Sequence, residues 1–377
     1  MPVRCISRMS KAHVTDLSDY QTANSYIVSD NGYYKFKATV RGNGVGELVA
    51  AQSATTIILN EGLDVDISSQ LVDVRPLWWQ GDLSNTADTG NPPSVPLQML
   101  DEGKPDADGY VSFKVENFSE GNMILAGYDV RGNIIWSWHI WMTDSPQMKK
   151  SNAYVVMDRY LGATFAPDDY SSFTGISDGD LKASYGFYYQ WGRKDPFPGN
   201  SASWYYYGGD TPEWKSGILS STNASAEKTI PNSVAQPTRF HASSYDYGQI
   251  DVLLGFNRYE TQNSAEAQCM TVMERPGSRS SLWGYSAASG VFGLTTTKTM
   301  YDPCPPGYCV SYYLVWSEID GGTPPYAYRD RYEGDYVVLN DSNVYFIPPS
   351  SDQKAGIVLK HSSFDPTWYP YSGYIDA

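Results

Sequence analysis

Ile134-Ile135-Trp136-Ser137-Trp138-His139-Ile140-Trp141-Met142 is the stretch that decides the fold class. Ile134, Trp136, Trp138, Ile140 and Met142 fall on one face at period two, and Ser137 and His139 fall on the other, which is the pattern of a strand. Working outward, Met123 to Val130 pairs naturally with it across Gly132-Asn133. Asp108-Gly109 opens another alternating strand, with Val111, Phe113 and Val115 on one face and Tyr110, Ser112 and Lys114 on the other. Thr56 to Leu59 is a compact apolar run. Further out, Tyr26-Ile27-Val28 and Tyr33 to Phe36 flank Asn31-Gly32, a strong short-range hairpin signal because both central turn residues need positive φ. Helical periodicity is nearly absent from this half. Several short strands joined by turn residues predict a β-sandwich over residues 23–145.

Residues 1–22 are polar and mixed and read as a leader or linker. The polar segment Thr143 to Ser151 contains a proline and marks the expected boundary. A second region, residues 150–377, is dense in Gly, Pro, Tyr and Ser. Its expected strands are Tyr154 to Met157, Gly186 to Trp191, Tyr336 to Leu339, Val344 to Ile347 and Ile357 to Lys360. A short helix is expected over Asn263 to Glu274, where Glu266 stands three residues after an Asn263 cap. The fold class is therefore mostly β or α+β, with a loop-rich second domain. No repeat of 20 to 50 residues suggests a solenoid or propeller.

Composition narrows the function. The chain has 377 residues, 41% hydrophobic and 18% charged, which is enough apolar material for packed domains. Its net charge of -15 argues against phosphate backbones and anionic lipid surfaces, which call for clustered Lys and Arg. No nucleic-acid partner is expected. Nothing approaches the roughly 18 to 20 apolar residues of a membrane helix, and Met1 to Ser10 has no apolar stretch of signal-peptide length. The 31 Tyr and 11 Trp favour strands and also binding surfaces, since a rigid ring with a polar tip makes contact area at low entropic cost.

Motifs for chemistry are sparse. Gly42-Asn43-Gly44-Val45-Gly46 follows a strand but lacks the dinucleotide spacing, and reads as a flexible loop. Asp101, Asp106 and Asp108-Gly109 suggest a calcium loop but lack its alternating ligands, so a hairpin turn explains them better; Asp178-Gly179-Asp180 has the same status. Neither a G-x-S-x-G elbow nor an H-E-x-x-H helix occurs. Carboxylate pairs such as Asp168-Asp169, or Glu318 and Asp320, read as solvated charge. Cys5, Cys269, Cys304 and Cys309 match no zinc spacing, and both a Cys304–Cys309 disulfide across Pro305-Pro306 and free thiols stay open. No catalytic residue, metal or cofactor is expected. Asn223-Ala224-Ser225 fits a glycosylation sequon. Trp78-Trp79 and Trp136, Trp138 and Trp141 read as core. Trp204-Tyr205-Tyr206-Tyr207 is different: flanked by Gly, Ser and Asn, it reads as an exposed loop whose rings stack on sugar faces or anchor a protein contact.

Read together, these segments resemble the C-terminal half of Bacteroidetes fimbrillin-like surface proteins. Ala23-Asn24-Ser25-Tyr26-Ile27-Val28 with Gly32-Tyr33-Tyr34-Lys35-Phe36 resembles the family's opening strands, though the family usually has Cys where Ser25 stands. Gly132 to Trp141 resembles the closing strand of that sandwich. Val156 to Ala163, Tyr188 to Phe197, Pro237-Thr238-Arg239-Phe240, Leu282-Trp283-Gly284 and Lys298 to Gly307 follow in the family's order. They also resemble the Fibrobacter succinogenes major paralogous domain, which is C-type-lectin-like. Within them, Trp191 to Phe197 reads as structural, an Arg and an Asp that can pair beside a turn. Two departures stand out: Tyr308-Cys309-Val310-Ser311 replaces the usual Trp, Arg, Val and Pro, and the family's last strands are not found before Ala377.

The resemblance implies a non-catalytic adhesin or pilus-associated lipoprotein at the outer membrane, contacting glycans, proteins or other pilus subunits. It implies contact with the membrane only through a lipid anchor outside this chain, and hence a fragment of a longer exported protein. Two alternatives accompany it. One is a trimeric receptor-binding fibre of a phage or injection particle. The other is an enzyme on a formylglycine-generating-like or glycan-cleaving scaffold, for which Cys304 and Cys309 are the nearby candidates.

Overall fold

The computed structural model describes residues 13–50, 55–58, 63–81, 95–151, 154–166, 177–189, 193–198, 203–206, 213–216, 221–222, 230–241, 283, 298–310, 344–347, 356–361 and 364–370. Among these the protein is mostly β with two short helices. The first strands are β1 (Val14–Asp16), β2 (Ser25–Val28), β3 (Gly32–Lys37), β4 (Glu47–Ala50), β5 (Thr55–Ile58) and β6 (Asp73–Gln80). Then come β7 (Leu97–Met99), β8 (Tyr110–Val115), β9 (Gly121–Tyr128), β10 (Ile134–Met142), β11 (Met148–Ser151) and β12 (Tyr154–Met157). Helix α1 (Asp178–Ala183) precedes β13 (Tyr188–Tyr189), β14 (Pro196–Phe197), β15 (Ser203–Tyr206), β16 (Glu213–Ser216) and β17 (Ser221–Thr222). Helix α2 (Ile230–Ala235) precedes β18 (Phe240–His241), β19 (Val344–Ile347), β20 (Gly356–His361) and β21 (Phe364–Pro370).

Two sheets build the main core. One has the order β1-β3-β8-β7 and the other β16-β15-β6-β9-β10-β2. Tyr34, Phe36, Val111, Phe113 and Val115 of the first share a buried cluster with Tyr26, Val74, Trp79, Leu125, Trp136, Trp138 and Ile140 of the second. Rings bridge the two sheets, with Phe36 5.3 Å from Trp138 and 5.2 Å from Tyr26. The alternation read in β8 is present, since Val111, Phe113 and Val115 are buried and their neighbours are not. Strands β9 and β10 pair antiparallel as expected, around a turn in which Asp129 Oδ1 accepts from the Arg131 and Asn133 amides.

Four expectations change. Asn31-Gly32 is not a hairpin turn. Neither residue has positive φ, and β2 leaves for the other sheet, where it runs parallel to β10 while β3 pairs with β1 and β8. The Asn31 side chain instead accepts from the Phe118 amide. Burying Tyr26 and Val28 against the opposite sheet outweighs the local turn preference. Ile134 also leaves its predicted face: a register shift between Ile134 and Trp136 turns it toward Leu77, Trp78 and Ile124, and brings Ile135 to the main core. The expected leader ends early, because Val14–Asp16 is already a strand beside β3.

The fourth change concerns Gly42 to Gly46, which is a clasp. Asn43 Nδ2 donates to the Lys298 carbonyl at 2.6 Å, and the Met300 amide donates to Val45 at 2.9 Å. A Cβ on Gly42 would lie 2.1 Å from the Met300 oxygen, so only glycine fits this approach.

Contacts also cross the polar segment Thr143 to Ser151. Strand β15 pairs with β6, and Ile230, Val234, Met300 and Tyr301 enter the main core. Arg159 straps the corner, donating to Asp158 at 2.9 Å, Thr143 Oγ1 at 3.0 Å and Asp144. Strands β12 and β19 match their expected bounds, and β13 and β20 lie within or around theirs. The expected helix at Asn263 to Glu274 and the strand at Tyr336 to Leu339 lie outside the described residues.

Candidate functional site

Both faces of β10 are closed, and the second one gathers the chemistry-bearing side chains. Period two sends Ser137 and His139 away from the tryptophan face. Phe187 covers His139, with the two rings 5.2 Å apart, and the indole of Trp141 donates to the Ala163 carbonyl at 3.0 Å. Two polar groups result.

The first joins β2, β10 and β9 in one line. Ser25 Oγ lies 2.8 Å from His139 Nδ1, and His139 Nε2 lies 2.8 Å from Asn122 Oδ1. Asn122 Nδ2 donates to the Gly162 carbonyl at 2.9 Å, so its Oδ1 is left to accept. His139 therefore carries its proton on Nε2, and Nδ1 accepts from the Ser25 hydroxyl. Burial pushes the imidazole pKa down from 6.5 to about 3, so the ring is neutral.

The second is a ring of hydrogen bonds under β10. Ser137 Oγ donates to Asp195 Oδ1 at 2.5 Å and accepts from Lys194 Nζ, which also donates to Asp195 Oδ1 at 2.6 Å. The ammonium stands 4.4 Å over the Trp136 ring. Burial lowers the Lys194 pKa to about 8, with Asp195 acting the other way. Arg193 reaches outward, donating to the carbonyls of Arg239, Gln236 and Ser233, and its Nε lies 3.6 Å from Asp195 Oδ2. The expected Arg–Asp pairing is thus present, although Lys194 is the nearer partner.

A Ser–His–Asn line and a Ser–Lys–Asp ring are both arrangements that can activate a hydroxyl. Here Ser25 is 0% and Ser137 2% exposed, so no substrate carbonyl reaches either oxygen. Their bonds tie β2, β9 and β10 into one line and hold Lys194 and Asp195 against the sheet.

The other expected sites fall as follows. Trp204, Tyr205 and Tyr206 form β15, paired with β16 and with Trp78 and Trp79 of β6; this corrects the loop reading, and Tyr207 lies outside the described residues. Trp78, Trp79, Trp136, Trp138 and Trp141 are fully buried. Asp106 Oδ1 accepts from the Asp108 and Tyr110 amides, which makes it a turn residue. Around it lies an open cleft of about 780 Å³ lined by Lys37, Asp66, Ser68, Lys104 and Asp108 among others. Asp178-Gly179-Asp180 opens α1, where Ser177 Oγ accepts from the Asp180 amide and donates to its carboxylate. Cys304 and Cys309 stand as thiols, and burial with Asp302 close by pushes the Cys304 thiol well up. Among the described residues no cluster of three or more His, Cys, Asp or Glu could hold a metal, and no helix is long and apolar enough to cross a membrane. Asp168-Asp169, Glu318, Asp320, Asn223, Cys5 and Cys269 lie outside them.

Sequence reasoning missed Ser25, Asn122 and Lys194 as partners of β10. The available signal was Ser137 and His139 at period two inside an otherwise apolar strand. Compared with known protein families, curated proteins and solved structures, the chain matches none. Fold and site together define the class: a mostly β protein with a polar layer sealed under its larger sheet.

Proposed function

We propose that the chain is a non-catalytic surface adhesin or pilus-associated protein that contacts glycan or protein ligands. In this reading residues 23–145 form the body of a β-sandwich, and residues 150–377 form a lectin-like domain that adds β15 and β16 to its larger sheet. The observation that carries it is the contrast between interior and surface. The serine, histidine, lysine and aspartate groups under β10 are enclosed and bonded to one another. The cleft lined by Lys37, Asp66, Lys104 and Asp108 opens to solvent. A frame that spends its reactive groups on cohesion and turns mixed polar groups outward suits holding a ligand.

Strand β15 contributes to the same reading. Its place beside β6 fixes the backbone of Trp204 to Tyr206 as part of a six-stranded sheet, which is a more rigid support than a loop. The test is a glycan array probed with the full chain, with and without thiol alkylation. Binding that survives alkylation and falls roughly tenfold or more with Trp204→Ala and Tyr206→Ala is expected. Binding lost on alkylation, or turnover of an arrayed glycan, would overturn the adhesin reading in favour of an enzyme. Binding indifferent to both ring substitutions would remove the aromatic strand from the contact and leave the cleft.

A further inference from the structure

Cys304-Pro305-Pro306-Gly307-Tyr308-Cys309 folds back on itself. The Tyr308 amide donates to the Pro305 carbonyl at 3.1 Å, and Gly307 has φ +80. Those are the closing bond and the third-residue conformation of a type II turn, with Pro306 and Gly307 at its centre. Cys304 and Cys309 are the next residues outward on the two arms.

Side chains hold the arms together independently of the turn. One carboxylate spans them: Asp302 Oδ1 accepts from the Cys304 amide at 2.8 Å and Oδ2 from the Val310 amide at 3.0 Å. Lys298 Nζ donates to the carbonyls of Cys304, Pro305 and Tyr308 at 2.6, 2.8 and 2.8 Å, taking acceptors from both arms. The base of the loop is anchored in turn, since Asn24 Nδ2 donates to the carbonyls of Met300 and Asp302. A disulfide needs two Cα atoms about 4.4–6.8 Å apart with little backbone movement. One hydrogen bond, one carboxylate and one ammonium together hold side by side the two arms on which Cys304 and Cys309 stand.

We propose that Cys304 and Cys309 are a redox-active pair that closes to a disulfide by exchange with an external disulfide. Cys309 is exposed and reacts first. Its thiolate attacks one sulfur of the external disulfide, forming a mixed disulfide and expelling one thiolate. Cys304, half-buried behind the turn, loses its proton to solvent or to the expelled thiolate and attacks the Cys309 sulfur. The internal bond forms and the second thiolate leaves. Overall the two cysteine thiols are oxidised, the external disulfide is reduced to two thiols, and both protons end on those thiols or in solvent. The closed bond locks the turn that seats Met300 and Tyr301 in the main core.

The probe is oxidised glutathione added to the reduced full chain, followed by maleimide trapping and mass spectrometry of the tryptic peptide from Thr299 to Arg329. The expected product is that peptide lighter by two hydrogens, refractory to maleimide until dithiothreitol is added. Cys304→Ser should stop at a glutathione adduct on Cys309, and Cys309→Ser should leave Cys304 largely unmodified. The proposal is overturned by a persistent glutathione adduct on Cys309 in the unsubstituted chain, by maleimide on both thiols, or by cross-linking of either to Cys5 or Cys269.

Discussion

On one face of β10, Trp136, Trp138, Ile140 and Met142 join the core shared with the opposite sheet, a mainly apolar packing in which the Trp136 indole also donates to Asn24 Oδ1 at 2.9 Å. On the other face, Ser137 meets the cover through hydrogen bonds to Lys194 and Asp195, which pair with each other, and His139 is bonded to Ser25 and Asn122 of the neighbouring strands. Both faces exclude water, but they do so by different physics. The apolar face gains free energy from every ring it buries, at about 25 cal/mol per Å². The polar face gains little from being buried and loses heavily if one member is removed, because the remaining partner is then stranded. One face tolerates loss in proportion to volume; the other fails by charge.

The largest expected effect is on the apolar face. Trp138→Ala empties a site packed against Phe36 and should lower the unfolding free energy by about 3–5 kcal/mol. Urea denaturation measures it. A loss below about 1 kcal/mol would mean that this face is loosely packed, and the contrast with the polar face would collapse.

Next comes Lys194→Met, which keeps an unbranched chain one atom shorter and strips the ammonium from Asp195. The loss should be about 3 kcal/mol, because a buried carboxylate loses its nearest counter-charge. Adding Asp195→Asn should recover most of it. Two independent losses that simply add would show that the pair is not coupled. The pH dependence has a definite sign: below about 8 the folded protein pays to bury the charge, and as pH rises from about 8 toward 10.5 the folded lysine releases its proton before the unfolded one does. Stability from this group therefore rises across that window, and Lys194→Met should remove the rise.

The two faces differ just as much in how far the sequence announces them. Period two in Val111, Phe113 and Val115 and in Trp136 to Met142 is a local signal, and the apolar face follows from it. The bulge that redirects Ile134 is not local, since it depends on pairing with β9. The same holds for Asn31-Gly32, whose turn preference is overridden once β2 runs beside β10. The polar face needs Lys194 and Asp195, which lie 57 and 58 residues from Ser137. No spacing rule reaches that far, although the Arg-Lys-Asp run beside a proline did mark a self-satisfying structural segment. The clasp at Gly42 to Gly46 was hidden for the same reason, its partner Lys298 being 255 residues from Asn43.

A smaller effect per pH unit separates the two polar groups from each other. Above about pH 6.5 His139 is neutral in both the folded and unfolded chain and adds no pH dependence. Between about 6.5 and about 3 the unfolded chain binds a proton that the folded one refuses. Unfolding free energy should therefore fall by about 1.4 kcal/mol per pH unit in that range. The contribution of His139 itself is the difference in slope between the unsubstituted chain and His139→Gln. Equal slopes would mean that the imidazole takes a proton in place, and that the line from Ser25 to Asn122 opens to water in acid.

The smallest change tests the end of that line. Ser25 is the donor to His139 Nδ1, and Ser25→Ala leaves a buried nitrogen with a lone pair and no proton to accept. The cost should be about 1–2 kcal/mol, less than for Lys194→Met because no charge is stranded. Ser25→Cys keeps a donor at the same place, but a weak one, and the larger sulfur must fit where Ser25 is fully enclosed. Its cost should fall between those of serine and alanine if the hydrogen bond decides. A cysteine variant more stable than the serine chain would show instead that volume decides at this position. The polar face would then share, at its edge, the physics of the apolar one.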